Sequence, residues 1–287
     1  MNRHTLLVGV LVAAVAACGP AASRTEPLPS AQPTVTPSPS PSPTTSVEPT
    51  GTPSLTPTPT RSRTPTATPS SSATQTSALP GWLRGHVVTH LPTTRHVVVL
   101  TFDGGAGAQG AASILATLAR EHVPATFFLT GNFVSANPST TRAIAAAGNV
   151  IGDHTVTHPH SVTLSSASLT REVTVAAERI RATTGKSPRP WFRFPYGEYD
   201  ARTLRVVNDL GYGAIGWTVD TLGWEGKEAG SSSDVVRRVR AAISPGAIVL
   251  MHLGANPDDG TTYDADALPA MIAAIRAAGY GFVTVAG

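Results

Sequence analysis

The chain has 287 residues, with 21 Lys plus Arg against 18 Asp plus Glu, a formal charge of +3 and a mean hydropathy of +0.03. No dense basic run accompanies that charge, so the electrostatic footprint of a nucleic-acid-binding protein is absent. Cys18 is the single cysteine, which excludes an internal disulfide; an exported domain has to be stable without one.

Residues 1–18 read as a secretory signal, in which Arg3 and His4 lead an apolar run from Leu6 to Ala17 that ends in small residues. The run is shorter than the ~20 residues a bilayer-spanning helix needs. Val15-Ala16-Ala17-Cys18 resembles the bacterial lipobox, in which the cysteine is acylated and becomes the mature N-terminus. The resemblance implies an extracytoplasmic lipoprotein anchored to the membrane through Cys18; the alternative is an ordinary signal peptide and a secreted product. Residues 19–80 are almost all Pro, Ser, Thr and Ala and hold 15 of the 25 prolines. Such a segment cannot bury enough apolar surface to offset ordering entropy, and is expected to be a disordered, extended linker.

Residues 81–287 carry 17 Lys plus Arg and 16 Asp plus Glu, a near-neutral stretch long enough to bury a full core. Seven strand candidates stand out: Val97–Phe102, Ala125–Leu129, Val150–Ile151 with its flanks, Trp191–Phe194, Ala214–Trp217, Ala247–Met251 and Gly281–Val285. They are rich in β-branched and aromatic residues and bounded by Gly, Pro or Asn. Between them the patterning predicts helices near 109–121, 138–147, 167–183, 200–210, 233–243 and 266–278, with Asp200, Asp234 and Asp266 as N-terminal residues and Gly148, Gly211 and Gly279 as stops. Strand–helix alternation with near-continuous apolar strands predicts an α/β fold with a parallel sheet buried on both faces. Seven units suit a small barrel better than an open sheet.

The polar groups then fall into place. Asp103, Asp153 with His154, Arg193, Asp220 and His252 each sit at the carboxyl end of a predicted strand, the face on which a parallel α/β barrel builds its site. His154 and His158, four residues apart, have a spacing that suits a shared divalent metal.

Five runs carry a family resemblance: Thr101-Phe102-Asp103-Gly104-Gly105, His154-Thr155-Val156-Thr157-His158, Arg193-Phe194-Pro195-Tyr196-Gly197, Asp220-Thr221-Leu222-Gly223-Trp224 and Leu250-Met251-His252. In order and separation they resemble the motifs of polysaccharide deacetylases, carbohydrate esterase family 4, over roughly residues 95–287. The resemblance implies a distorted (β/α)7 barrel that removes N-acetyl groups from a polysaccharide with a divalent metal, usually zinc, with cobalt or another transition metal as alternatives. It further implies Asp103 as general base, Arg193 as the residue holding it, His154 and His158 as ligands, and His252 as general acid with Asp220 beside it. The N–H of Tyr196 would face the oxyanion, and Trp224 and Leu250 would line the acetyl pocket.

Two positions depart from the family pattern. Gly104 replaces the aspartate that usually ligates the metal, and Gly223 stands where an aspartate is common. Three readings of the ligand set stay open: Asp103 binds the ion, Asp153 swings in, or two histidines and water suffice. His160, His86, His90, His96 and His122 read as surface residues, Trp217 as core, and residues 256–266 as a polar loop. Loss of chemistry at Gly104 would leave a glycan-binding module, and an O-acetyl esterase would use the same machinery.

Overall fold

The computed structural model describes residues 79–287 except Ala106. The signal, Cys18 and all but the last residues of the linker lie outside that range. Nine strands are present among the described residues: β1 (Val87–Val88), β2 (Val97–Gly104), β3 (Thr126–Leu129), β4 (Val150–Asp153), β5 (Trp191–Phe192), β6 (Gly213–Ile215), β7 (Val219–Asp220), β8 (Ala247–His252) and β9 (Gly281–Val283). Seven helices accompany them: α1 (Ala111–Arg120), α2 (Gly131–Ala136), α3 (Pro138–Ala146), α4 (Ser166–Thr184), α5 (Ala201–Asp209), α6 (Ser232–Ala242) and α7 (Tyr263–Ala277).

The sheet runs β1-β6-β5-β4-β3-β2-β8-β7, every pairing parallel, with β9 alongside the start of β2. It curls into the distorted barrel that the family resemblance implies. The membership differs from the seven predicted strands in two respects: the two-residue strands β1 and β7 are not among those predicted, and β9 lies off the path. Gly281–Val283 pairs with the start of β2 only, while Val87–Val88 and Val219–Asp220 form the two ends of the path. The gap between the end strands is spanned by the chain after β1: Thr218 Oγ1 donates to the Thr89 carbonyl, Leu91 N–H to Gly246 (2.9 Å), and His90 forms a bridge with Ala247.

Alternation along each strand sorts its residues between two layers. Val98, Leu100 and Phe102 of β2 face the helices, in one cluster with Ile114, Leu118 and Ile272. Val99 joins Phe128, Ile215 and Ile248, a cluster drawn from strands that are not all neighbours and therefore inside the barrel. Asp103 continues the inward row of Val99. By the same alternation His154, Arg193, Asp220 and His252 face inward above Val150, Trp191 and Ile248, and all five converge at one mouth.

The helix limits follow the caps. Asp200 and Thr203 form a reciprocal capping box on α5, and Ser231 with Asp234 forms one on α6. Gly148, Gly211 and Gly279 follow α3, α5 and α7 with φ near +80°. The last helix begins at Tyr263, three residues before the predicted Asp266 start; Asp266 lies inside its first turn.

The interior is tightly filled at Gly152, where an added Cβ would fall 2.6 Å from the Phe128 ring and 3.1 Å from Trp191 Cβ. Gly152→Ala is therefore expected to destabilise the domain by about 1–3 kcal/mol through overpacking. Urea denaturation checks this: the midpoint should fall with the slope unchanged.

Candidate active site

The mouth is organised around one buried ion pair. Arg193 Nη1 donates to Asp103 Oδ1 at 2.6 Å, and the two side chains are 1% and 7% exposed. The guanidinium is fixed on its other edges: Nε donates to the Ile215 carbonyl (3.2 Å), Nη2 to that of Gly216 (3.1 Å), and its plane lies 4.2 Å from the Phe128 ring centroid. With a hydrogen bond from each of its three nitrogens, Arg193 fixes the position of Asp103 and leaves Oδ2 free to face the site.

His154, buried just past β4, presents its ring to that oxygen. Its Nδ1 lies 2.8 Å from the Arg193 carbonyl, which can only accept, so Nδ1 carries the proton. Burial lowers the pKa of His154, against the pull of Asp103, and keeps the ring neutral. Nε2 therefore offers a lone pair, and it stands 3.4 Å from Asp103 Oδ2. Two electron-rich atoms face each other with no proton of their own between them. Donors each about 2.0–2.1 Å from a tetrahedral ion are separated by about 3.3–3.4 Å, so the pair fits a shared cation. A ligating histidine that donates its other nitrogen to a carbonyl is also the usual outer-shell pattern.

His158 is reached through a turn in which Thr155 (φ 65°) and His158 (φ 60°) are both left-handed. The turn is held by Glu172, which accepts from the N–H groups of Val156 (2.9 Å) and Thr157 (2.8 Å). The ring of His158 lies edge-on to His154, with centroids 4.8 Å apart. Burial, then the neighbouring His154, holds its pKa down to about 4, so it too is a neutral donor. Among the described residues no three His, Cys, Asp or Glu side chains converge as a finished cage. Two donors face each other and the third lies adjacent.

Asp153 is not part of this set. It is the last residue of β4 and faces away from His154, as strand alternation requires. Its Oδ1 accepts from Thr155 N–H (2.9 Å), and Oδ2 is buried without a partner. Tyr212 and Arg189 are its neighbours, and burial raises its pKa well above the usual carboxylate range. The reading in which Asp153 swings in as a ligand is corrected.

Gly104 also looks away from the histidines. A Cβ there would meet Leu129 Cδ2 at 2.8 Å and Leu253 and Phe133 at 3.2 Å, the apolar layer beneath the helices. The missing side chain leaves no open coordination place at the mouth. A Cβ on Gly105 would instead lie 3.9 Å from the His158 ring.

On the neighbouring strand, His252 ends β8 in register with Asp103. Burial alone would lower its pKa, but the carboxylates of Asp264, Asp103 and Asp220 outweigh that and raise it. Asp264 is the nearest carboxylate, with Oδ2 3.6 Å from Nδ1, so the leading partner of His252 is Asp264 and not the predicted Asp220. Asp220 accepts from Leu222 N–H (2.9 Å) and has its own pKa raised by burial. The Trp224 ring lies 6.5 Å from that of His252, and Leu250, buried, sits one inward position below it. Tyr196, with φ 58°, packs edge-on against His158 at 4.5 Å. His160 stacks on the other side of Tyr196 at 4.2 Å and bonds Glu198, as befits an exposed neighbour. Beside Arg193 a cavity of about 190 Å³ is walled by Tyr196, Tyr199 and Trp217; the last lines this cleft as well as packing on the core.

A polysaccharide deacetylase family model matches residues 90–215. The chitooligosaccharide deacetylase of Rhizobium leguminosarum bv. trifolii is 35% identical over 162 residues, covering 56% of this chain and 74% of that protein. The chain belongs to the polysaccharide deacetylase family. The peptidoglycan-N-acetylglucosamine deacetylase of Bacillus cereus is 30% identical and covers 68% of each chain. Among solved structures, a carbohydrate esterase family 4 pseudoenzyme from Bacillus anthracis superposes with a TM-score of 0.64 at 31% identity, over 70% of this chain and 68% of that one. A mutant with restored activity is described for a pseudoenzyme of that kind, at 32% identity and the same TM-score. The neighbours of this chain thus include named deacetylases and a pseudoenzyme.

The glycine geometry separates two substitutions. Gly104→Asp is expected to push a carboxylate into apolar packing, costing about 1–3 kcal/mol without tightening zinc binding. Gly105→Asp is expected to tighten zinc binding at least about tenfold by adding an anionic donor beside His158. Calorimetric zinc titration of both variants checks this; tighter binding by Gly104→Asp would contradict the orientation.

Proposed function

We propose that this protein is a metal-dependent hydrolase that removes N-acetyl groups from an N-acetylglucosamine-type cell-wall or surface polysaccharide. The observation that carries the reading is the apposition of Asp103 Oδ2 and His154 Nε2 beside His158, with His252 on the neighbouring strand. His154, His158 and Asp103 would hold the ion, zinc by preference, with cobalt or another transition metal as substitutes. When bound, it supplies Lewis acidity to the acetyl carbonyl and lowers the pKa of water.

The chain's own residues supply the rest. Asp103, immobilised by Arg193, takes the proton of the attacking water, serving as both donor and base because Gly104 offers no carboxylate. His252, its pKa raised by the carboxylates of Asp264, Asp103 and Asp220, gives a proton to the departing sugar amine. The N–H of Tyr196 faces the oxyanion, while Trp224 and Leu250 enclose the acetyl methyl. The exposed rings of Tyr196 and Tyr199 offer flat apolar faces to the glycan.

A second reading, a glycan-binding module without turnover, draws on Gly104 and on the pseudoenzyme relative. The pairing of Asp103 with Arg193 and of His252 with Asp264 weighs against it, since binding alone needs neither base nor acid. An O-acetyl esterase would share the site and differ only in its leaving group.

The location proposed is extracytoplasmic, with the domain tethered to the membrane through acylated Cys18. The support is the signal-like run and Val15-Ala16-Ala17-Cys18.

Two measurements follow. Acetate release from N-acetylglucosamine oligomers is expected to be abolished by EDTA, restored by zinc or cobalt, and lost in His158→Ala; His252→Ala is expected to lower turnover by about 10²-fold or more while keeping its metal. Release from acetylated xylan alone would favour the esterase, and none from any substrate the binding module. Metabolic labelling with palmitate is expected to mark the wild type and spare Cys18→Ala; an unlabelled wild type would favour secretion.

A further inference from the structure

Asp264 is the second residue of α7 and is 4% exposed. Both carboxylate oxygens are committed. Oδ1 accepts from Thr221 Oγ1 (2.6 Å), and Oδ2 accepts from the backbone N–H of His252 (2.8 Å). The same Oδ2 lies 3.6 Å from His252 Nδ1, a buried ring nitrogen with no hydrogen-bond partner. Gly223 is directly against this group: a Cβ built on it would fall 2.6 Å from Asp264 Cγ and 2.9 Å from Oδ2. The carboxylate of Asp264 thus fills the volume that any side chain at 223 would need.

The surroundings keep it there. Arg238 Nη1 donates to the Thr221 carbonyl (2.8 Å), Asn256 Nδ2 to that of Trp224 (2.8 Å), and Lys227 N–H to Asp259 Oδ2 (2.7 Å). The connection between β8 and α7 is therefore fastened to residues 221–227 at three places, counting Thr221 to Asp264. Other charged or titratable groups facing His252 are Asp220 from β7, Asp103 from β2, and His154 and His158 beyond β4. Asp264 alone combines a bond to the His252 main chain with a carboxylate at Nδ1.

We infer that Asp264 is the positioning residue for His252, supplying from α7 the carboxylate that the 220–224 segment lacks at Gly223. By facing Nδ1 it aims the opposite nitrogen, Nε2, at the reacting centre, and its 3.6 Å separation closes to a hydrogen bond when substrate excludes water from the mouth. The kinetic part of this inference rests on the hydrolase reading; the structural part does not.

Asp264→Asn, nearly isosteric, is expected to lower kcat for acetate release about tenfold or more, with KM within about twofold of wild type and zinc content unchanged. Combining Asp264→Ala with Gly223→Asp returns a carboxylate to the same volume and is expected to recover most of that loss. Independently of turnover, nitrogen–proton correlation spectra of His252 are expected to show the neutral ring protonated at Nδ1 in the wild type and a tautomer mixture in Asp264→Asn. An Asp264→Asn protein with the wild-type His252 spectrum overturns the inference, and so does one with wild-type kcat. A wild type that releases no acetate would sink the hydrolase reading and leave the spectra to decide the role of Asp264.

Discussion

The contact between Arg193 and Asp103 sets the geometry of the mouth. Burying both charges is costly, and the cost is offset only because the guanidinium finds a carboxylate, two carbonyls and an aromatic face in one place. Removing either partner alone would strand a buried charge. The pair also orients more than itself: the Arg193 carbonyl selects the tautomer of His154, and the oxygen of Asp103 that Arg193 does not hold is the one His154 faces. Residues from β2, β4 and β5 are thereby locked into one arrangement.

The two glycines that depart from the family pattern have different consequences. Gly104 lies in the outward row of β2, where Leu129, Leu253 and Phe133 close over it, and nothing polar takes the place of a missing ligand. In the proposed hydrolase the burden of holding the ion would fall on Asp103. Gly223 has a substitute, because Asp264 brings a carboxylate into its volume from a helix later in the chain. Under the proposed reading the metal side of the site would be reduced while the acid side is rebuilt, an asymmetry that suits a working enzyme better than a relic decaying everywhere at once.

Much of this was legible in the sequence. Long apolar strands such as Val97–Phe102 and Ala247–Met251 declare themselves, and the groups at their carboxyl ends declare a common face. The two-residue strands at Val87 and Val219 did not, because two residues carry no period. The same brevity hid the alternation at Val150–Ile151, which is why Asp153 read as a neighbour of His154 when it faces Tyr212. Asp264 went unrecognised because the loop-like composition of residues 256–266 concealed the first turn of α7, and because its partners lie 12 and 43 positions away in the chain. No spacing rule reports a contact of that kind.

The most direct measurement is a crystal structure of the zinc-loaded protein with anomalous scattering at the zinc edge. The account requires one peak joining His154 Nε2, His158 and Asp103 Oδ2, with Arg193 still on Oδ1. A peak elsewhere, or none at saturating zinc, would contradict it.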